Sequence, residues 1–314
     1  MVLLKRQRYA TALWGVGGMA LVALFNYHFR LTSSDYLIQS RNFYGILGVR
    51  NSENRNGQLV RTLIDGEVIH GTQLMDPKYR RLPTGYYRIE SGIGVSVKFL
   101  ERSESLHMGV IGLGAGTSAS YGSPGDTIRF YEINPETIDV ANNYFYYLRD
   151  CEAESTVILG DARISLEREL IDQGSQQFHI LAVDAFSSDA IPVHLLTQEA
   201  FSLYWRHLRP DGILAFHVTN SHLDLSVVVR NLAKGSGKQA VLVKVLPDIF
   251  SDQGSEWILT TSNETFLNDD RMKEHITEWA SDDIDTVLWT DDYSNLFSVL
   301  GEQNSNDIFK YIFR

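Results

Sequence analysis

From residue 107 onward, short and mainly apolar runs alternate with stretches in which apolar residues recur every three or four positions. HMGVIGL reads as a buried strand, and TIRFYEI, STVILGD, FHILAVDAF and GILAFHVTN read as further strands. Between and after them, NPETIDVANNYFYYL, ARISLERELIDQ, TQEAFSLYWRHL and LSVVVRNLAK carry helical spacing, and the first opens on the helix-start pair Asn-Pro. RPDG is expected to close the third of these helices, and KQAVLVKVLP and EWILTTS read as two last strands. Repeated strand–helix–strand with buried runs predicts a doubly wound, mostly parallel sheet with helices on both faces. Ahead of it, NFYGILGV, QLVRTLID and EVIHGTQL are separated by NSENRNG and Asp65-Gly66, which predicts a small antiparallel β-region. DPKYRRLPTG reads as a loop and YYRIESGIGVSVKFL as a helix or mixed segment. The expected organisation is an N-terminal segment over 1–30, a β-region over 31–85 and an α/β domain over 86–314.

The N-terminal segment has its own pattern. Lys5, Arg6 and Arg8 precede YATALWGVGGMALVALFNYHF, a run from Tyr9 to Phe29 without Asp, Glu, Lys or Arg. About 20 such residues span a bilayer as a helix. Gly15, Gly17 and Gly18 suit a membrane helix better than a soluble one, and Trp14 and Tyr27 fit the two interfaces. A cleaved signal peptide is the alternative, but Leu21 and Ala23 make a poor cleavage pair. The basic flank would keep the N-terminus inside and send the remainder out. A nucleotide-type substrate, argued below, instead places the domain on the cytoplasmic side.

Composition narrows the function. The chain has 314 residues, 44% hydrophobic, with a formal net charge of −11. That length supports a large core. The acidic balance speaks against nucleic acid as a partner. Cys151 is the single cysteine, so no internal disulfide or cysteine-based metal cluster forms, and the spacing of His70, His107 and His217 gives no zinc signature.

The chemistry gathers at strand ends. Gly112, Gly114 and Gly116 form GxGxG at a strand-to-helix turn, where glycines let a backbone approach a ligand closely. The dinucleotide fingerprint needs GxGxxG, but Thr117 follows Gly116 here, and the next helix is short before Ser123-Pro124-Gly125. Glu132 ends the second strand, where a carboxylate binds ribose hydroxyls. Asp161, before Ala162, ends the third, in reach of an adenine amino group, and Asp184 ends the fourth. Glu132 and Asp161 also have a purely structural reading, as caps of the helices that follow them. Acids at three successive strand ends after a glycine turn fit adenosine without pyrophosphate. S-adenosylmethionine or a relative is therefore preferred to NAD.

NFYG, HGTQ, GLGAGT, FYEINP, GDAR, DAFSSDAIPVHLLT and WTDDYSNL resemble the spermidine synthase family of polyamine aminopropyltransferases over roughly residues 43–220. They look most like its membrane-associated bacterial branch, often fused to transporter-like helices. The resemblance implies a β-region followed by a methyltransferase-like Rossmann domain. It implies transfer of an aminopropyl group from decarboxylated S-adenosylmethionine to an amine such as a polyamine, with release of methylthioadenosine and without a metal. It also implies a homodimer, and with the N-terminal run a single-pass protein of the bacterial inner membrane.

Carried over residue by residue, Gln73 resembles a glutamine near the sulfur, Glu132 the ribose acid, and Asp161 with Ala162 the adenine contact. Asp184 matches the proton-accepting aspartate, and Pro192 a proline against the adenine. The amine half departs from the pattern. Ala115 stands where the family has an amine-holding aspartate, Ser187 replaces a second aspartate with Asp189 two residues on, and Tyr86-Tyr87-Arg88 replaces a Tyr-His-Glu motif. His70, Tyr86, Tyr87, Asp189 and Asp291 are the acceptor-site candidates, Asp291 as part of a C-terminal lid. Structural readings stand beside them: packing for the tyrosines, a hairpin position for His70 and a helix cap for Asp291. A methyltransferase, a lyase or a non-catalytic membrane-tethered nucleoside sensor are the alternative functions.

Overall fold

The patterned stretches fold into two sheets in the computed structural model, which describes residues 14–27, 36–66, 68–185, 192–220, 222–247, 254–279 and 287–300. Residues 14–27 form helix α1, with every residue exposed, Trp14 at 82%. Among the described residues no helix is long and apolar enough to cross a membrane. The rest of the 1–30 segment lies outside the described residues.

Strands β1 (Tyr36–Asn42), β2 (Gly45–Glu53), β3 (Leu59–Asp65) and β4 (Val68–Leu74) form an antiparallel sheet in chain order. The expected strand NFYGILGV is split, because Asn42 turns the chain by accepting the Tyr44 N–H at 2.9 Å on its side chain. The mixed segment resolves into a 3₁₀ turn at Gly85–Tyr87 and helix α2 (Gly92–Phe99), capped by Ser91.

The larger sheet holds β5 (His107–Ile111), β6 (Thr127–Glu132), β7 (Glu154–Leu159), β8 (Phe178–Val183), β9 (Leu208–His217), β10 (Gln239–Val245) and β11 (Ser255–Thr261). Its order is β10-β11-β9-β8-β5-β6-β7. Pairings among β5 to β9 are parallel, and β11 runs antiparallel to β9 and β10. Helices α3 (Pro135–Tyr144), α4 (Ala162–Asp172), α5 (Gln198–His207) and α6 (Ser226–Gly235) fall near their expected places, followed by short α7 (Glu264–Asn268) and α8 (Asp270–Lys273). Asn134, Asp161 and Thr197 cap α3, α4 and α5 through their side chains. Two expectations shift. Thr117–Tyr121 makes only a 3₁₀ turn, and Arg209-Pro210-Asp211-Gly212 lies inside β9 rather than closing α5.

Alternation along the central strands feeds two cores. Met108, Val110, Ile180, Ala182, Ile213 and Ala215 face one core with Trp257, Tyr87 and the inner face of the small sheet. Ile111, Leu181, Val183, Leu214 and Phe216 face the other, against α4, α5 and α6. The residues just past Val183 and Phe216, Asp184 and His217, therefore turn back toward the first core, where the two sheets meet.

Candidate active site

Three backbone bonds continue the ladder past the strand ends. Gly112 N–H donates to Tyr131 O, Gly160 N–H to Glu132 O and Asp184 N–H to Ile111 O, each at 2.8 Å. They hold the glycine loop, Glu132, Asp161 and Asp184 at one level of the sheet. Gly112 has φ +96°, and a Cβ there would lie 2.2 Å from the Asp184 carbonyl oxygen, so only glycine lets the loop pass this close. The small sheet closes from above. Asn42 donates to Asn134 and Glu136 at 2.7 and 2.9 Å, and Arg61 donates to Tyr144 O at 2.7 Å.

Between the sheets lies a cavity of about 780 Å³, within the range for small-molecule sites. Gly112, Gly114, Glu132, Asp161, Ala162, Asp184 and Pro192 line it, as do His70, Tyr86 and Tyr87. The structure thus brings most of the sequence-derived candidates to one cavity. Asp65, His194, His217 and His222 join them without having been candidates. No Lys or Arg occurs among the described lining residues, whereas Asp65, Glu132, Asp161 and Asp184 supply four carboxylates.

Glu132 is buried, with one oxygen accepting the Leu113 N–H at 3.0 Å and the other the Asn134 N–H at 2.8 Å. Burial pushes its carboxyl above the usual range, and the backbone donors pull against that. Each oxygen keeps a lone pair for a ligand hydroxyl. Asp161 caps α4 by accepting the Ile164 N–H at 3.0 Å, and its second oxygen lies 2.9 Å from His194 Nε2. The capping reading of Asp161 therefore holds alongside its place on the cavity wall.

Asp184 is held at both oxygens. Its Oδ1 lies 2.7 Å from His217 Nδ1, and its Oδ2 accepts a short hydrogen bond from the Tyr87 hydroxyl. Burial, then the Asp184 charge, pushes the Tyr87 phenol far above its ordinary value, so it stays a donor. Tyr86 donates to Ile69 O at 2.6 Å, and its ring centroid is 4.9 Å from that of His217.

Three candidates do not reach the cavity. Gln73 is fully buried; its amide donates to Arg80 O at 2.7 Å and accepts the Tyr146 N–H at 2.9 Å, so both ends serve the protein backbone. Gly116 faces Leu148 and Tyr147 instead. Asp291 is held by Arg163 through bonds of 2.6 and 2.5 Å and accepts from the Thr197 hydroxyl at 2.8 Å. That carboxylate is a brace between the C-terminal segment and α4, not a free amine ligand. Asp189 lies outside the described residues. Among the described residues, no three His, Cys, Asp or Glu side chains are grouped to hold a metal ion.

No protein-family model matches the chain. It is 28% identical over 152 residues to a polyamine aminopropyltransferase of Vibrio vulnificus (strain CMCP6), covering 48% of each chain. It is 23% identical over 193 residues to a probable polyamine aminopropyl transferase of Bifidobacterium longum (strain NCC 2705), covering 60% of this chain and 39% of that one. The matches thus span less than half the length of these curated relatives. Among solved structures, a probable spermidine synthase from Corynebacterium glutamicum ATCC 13032 superposes with TM-score 0.55 at 16% identity, over 72% of this chain and 80% of that one. The chain is thus homologous to polyamine aminopropyltransferases at moderate identity. The superposition shows that the chain and that solved structure share their overall α/β fold.

Proposed function

We propose that this chain is a spermidine synthase-like aminopropyltransferase that takes decarboxylated S-adenosylmethionine and an amine acceptor and releases methylthioadenosine. The observation that carries this reading is the charge of the cavity: four carboxylates and no Lys or Arg among its described lining residues. Decarboxylated S-adenosylmethionine carries positive charge at its sulfonium and its terminal ammonium. The acceptor amine brings more. S-adenosylmethionine itself adds a carboxylate, to which the described wall offers no Lys or Arg.

The chemistry asks for position rather than for a strong nucleophile. The sulfonium sulfur already activates the methylene carbon next to it. The acceptor gives up one proton, its nitrogen forms the new N–C bond, and the C–S bond breaks with its pair left on sulfur as the neutral thioether. Asp184 is the proton acceptor in this reading, Glu132 the ribose ligand, and Asp161 with Ala162 and Pro192 the adenine end. His70, Tyr86 and Tyr87 border the acceptor. Holding the amine in line with the C–S bond supplies much of the rate. Comparative calorimetry tests the ligand class: the decarboxylated nucleoside should bind at least about tenfold tighter than S-adenosylmethionine, as one unpaired charge predicts. Equal or reversed affinities would move the chain toward the methyltransferases.

We also propose that the run from Tyr9 to Phe29 holds the domain at the cytoplasmic face of a bacterial inner membrane, as in the membrane-associated branch. Its lack of charge and the exposure of residues 14–27 support this, since exposed apolar side chains gain about 1.5–3 kcal/mol each on burial. Recovery of the full chain in a membrane pellet after alkaline carbonate washing is expected. Release into the supernatant would oppose it.

A further inference from the structure

Nucleoside binding does not account for the pairing of Asp184 with His217. We propose that His217 is a positioning residue for the proton-accepting carboxylate and acts through Asp184, an inference that rests on the transferase reading above. The pairing is built into the sheet. Val183 and Phe216 are register partners between β8 and β9, so the residues that follow them, Asp184 and His217, are neighbours on the same face. Their side chains are 8% and 4% exposed. An ionised carboxylate only accepts hydrogen bonds, which assigns the proton to His217 Nδ1, 2.7 Å from Oδ1.

The imidazole is itself fixed. Its ring lies between Tyr86, at 4.9 Å, and Trp257, stacked at 4.8 Å with the planes 22° apart. Trp257 Nε1–H donates to Tyr86 O at 3.0 Å, tying the two flanking residues together. With Tyr87 donating to Oδ2 and His217 to Oδ1, the carboxylate can turn neither way. The lone pairs left on its two oxygens are the ones available to the acceptor ammonium. Proton transfer to a carboxylate held this way needs no search through rotamers, and a displacement of about 1 Å at such a group costs on the order of 100-fold in rate.

Two substitutions separate positioning from packing. His217→Asn keeps an N–H donor at the Nδ1 position and loses the ring. His217→Phe keeps a ring between Tyr86 and Trp257 and loses the donor. The measurements are kcat for methylthioadenosine release from decarboxylated S-adenosylmethionine at saturating amine, and the Kd of methylthioadenosine by calorimetry. Positioning predicts that His217→Phe lowers kcat on the order of 100-fold and His217→Asn less than about tenfold, with Kd kept within about threefold in both. In an Asp184→Asn background, His217→Phe should cost nothing more, since the two act as one unit. A wild-type kcat in His217→Phe, a loss in His217→Asn as large as in His217→Phe, or additive losses in the double variant would overturn the proposal. A variant that no longer binds methylthioadenosine assigns His217 to packing and overturns it too. Failure of the transferase reading shows differently, as wild-type protein that binds the nucleoside and releases no product with any amine.

Discussion

The carbonyl oxygen of His70 lies 2.5 Å from the point where a Cβ on Gly114 would stand. The small sheet thus rests its β4 backbone directly on the glycine loop, where His70 and Gly114 both line the cavity. Gly114→Ala should push the two apart. A loss of about 1–3 kcal/mol in urea unfolding is expected, as for other overpacked sites, with weaker methylthioadenosine binding in calorimetry. Unchanged stability and affinity would mean that the sheets do not meet there.

Asp184→Asn should separate binding from turnover. The amide still accepts from a donor but takes no proton. kcat is expected to fall about 10²–10⁴-fold, the span usual for loss of a positioned base, while calorimetric affinity for methylthioadenosine stays near that of the wild type. A comparable fall in affinity would assign Asp184 to the nucleoside instead.

Glu132 should act in the opposite sense. Glu132→Gln removes the charge that ribose hydroxyls would bond. Bonds to charged groups contribute about 1.5–3 kcal/mol, so methylthioadenosine affinity should drop roughly 10–100-fold. A 2′-deoxy nucleoside should bind wild type more weakly than the ribose form, and the Gln variant with little difference between the two. If the variant discriminates as well as the wild type, Glu132 only ties the loop to α3.

Asp291 belongs to stability. The Arg163 guanidinium, through its hydrogen bonds, holds the Asp291 carboxyl down at about 2. A carboxyl depressed in the folded state stabilises it above the unfolded value near ~4, and that contribution fades as pH falls toward the folded value. The side chain is 39% exposed, so solvent screening keeps the gain to at most about 1 kcal/mol. Urea unfolding should show Asp291→Asn less stable than wild type at pH 6, with the gap closing toward pH 2.5. The KM for the acceptor amine should not move. A raised KM would restore the lid.

The strand ends were legible because each closes a short, mainly apolar run: Gly112, Glu132, Asp161 and Asp184 could be placed by counting. His217 ends a run of the same kind, GILAF, and the same rule finds it; a search for zinc spacing passes it over. Gln73 misleads because the β3–β4 pairing slips between Leu63 and Ile64, and His70, three residues earlier, lines the cavity while Gln73 is spent on backbone. Asp291 could not be read locally at all, since its partner Arg163 lies 128 residues away. The hairpin at Asn42–Gly45 was hidden by its apolar Phe43 and Tyr44, which read as strand although Phe43 is almost fully exposed at the turn.

Mass spectrometry of the nucleoside product tests the central claim most directly. The purified full chain is given decarboxylated S-adenosylmethionine or S-adenosylmethionine in separate reactions, each with and without a mixture of polyamines. The account predicts methylthioadenosine from the decarboxylated form only when amines are present, together with an aminopropylated amine in the same spectrum. Methylthioadenosine without any amine, S-adenosylhomocysteine from S-adenosylmethionine, or no product at all would each contradict it.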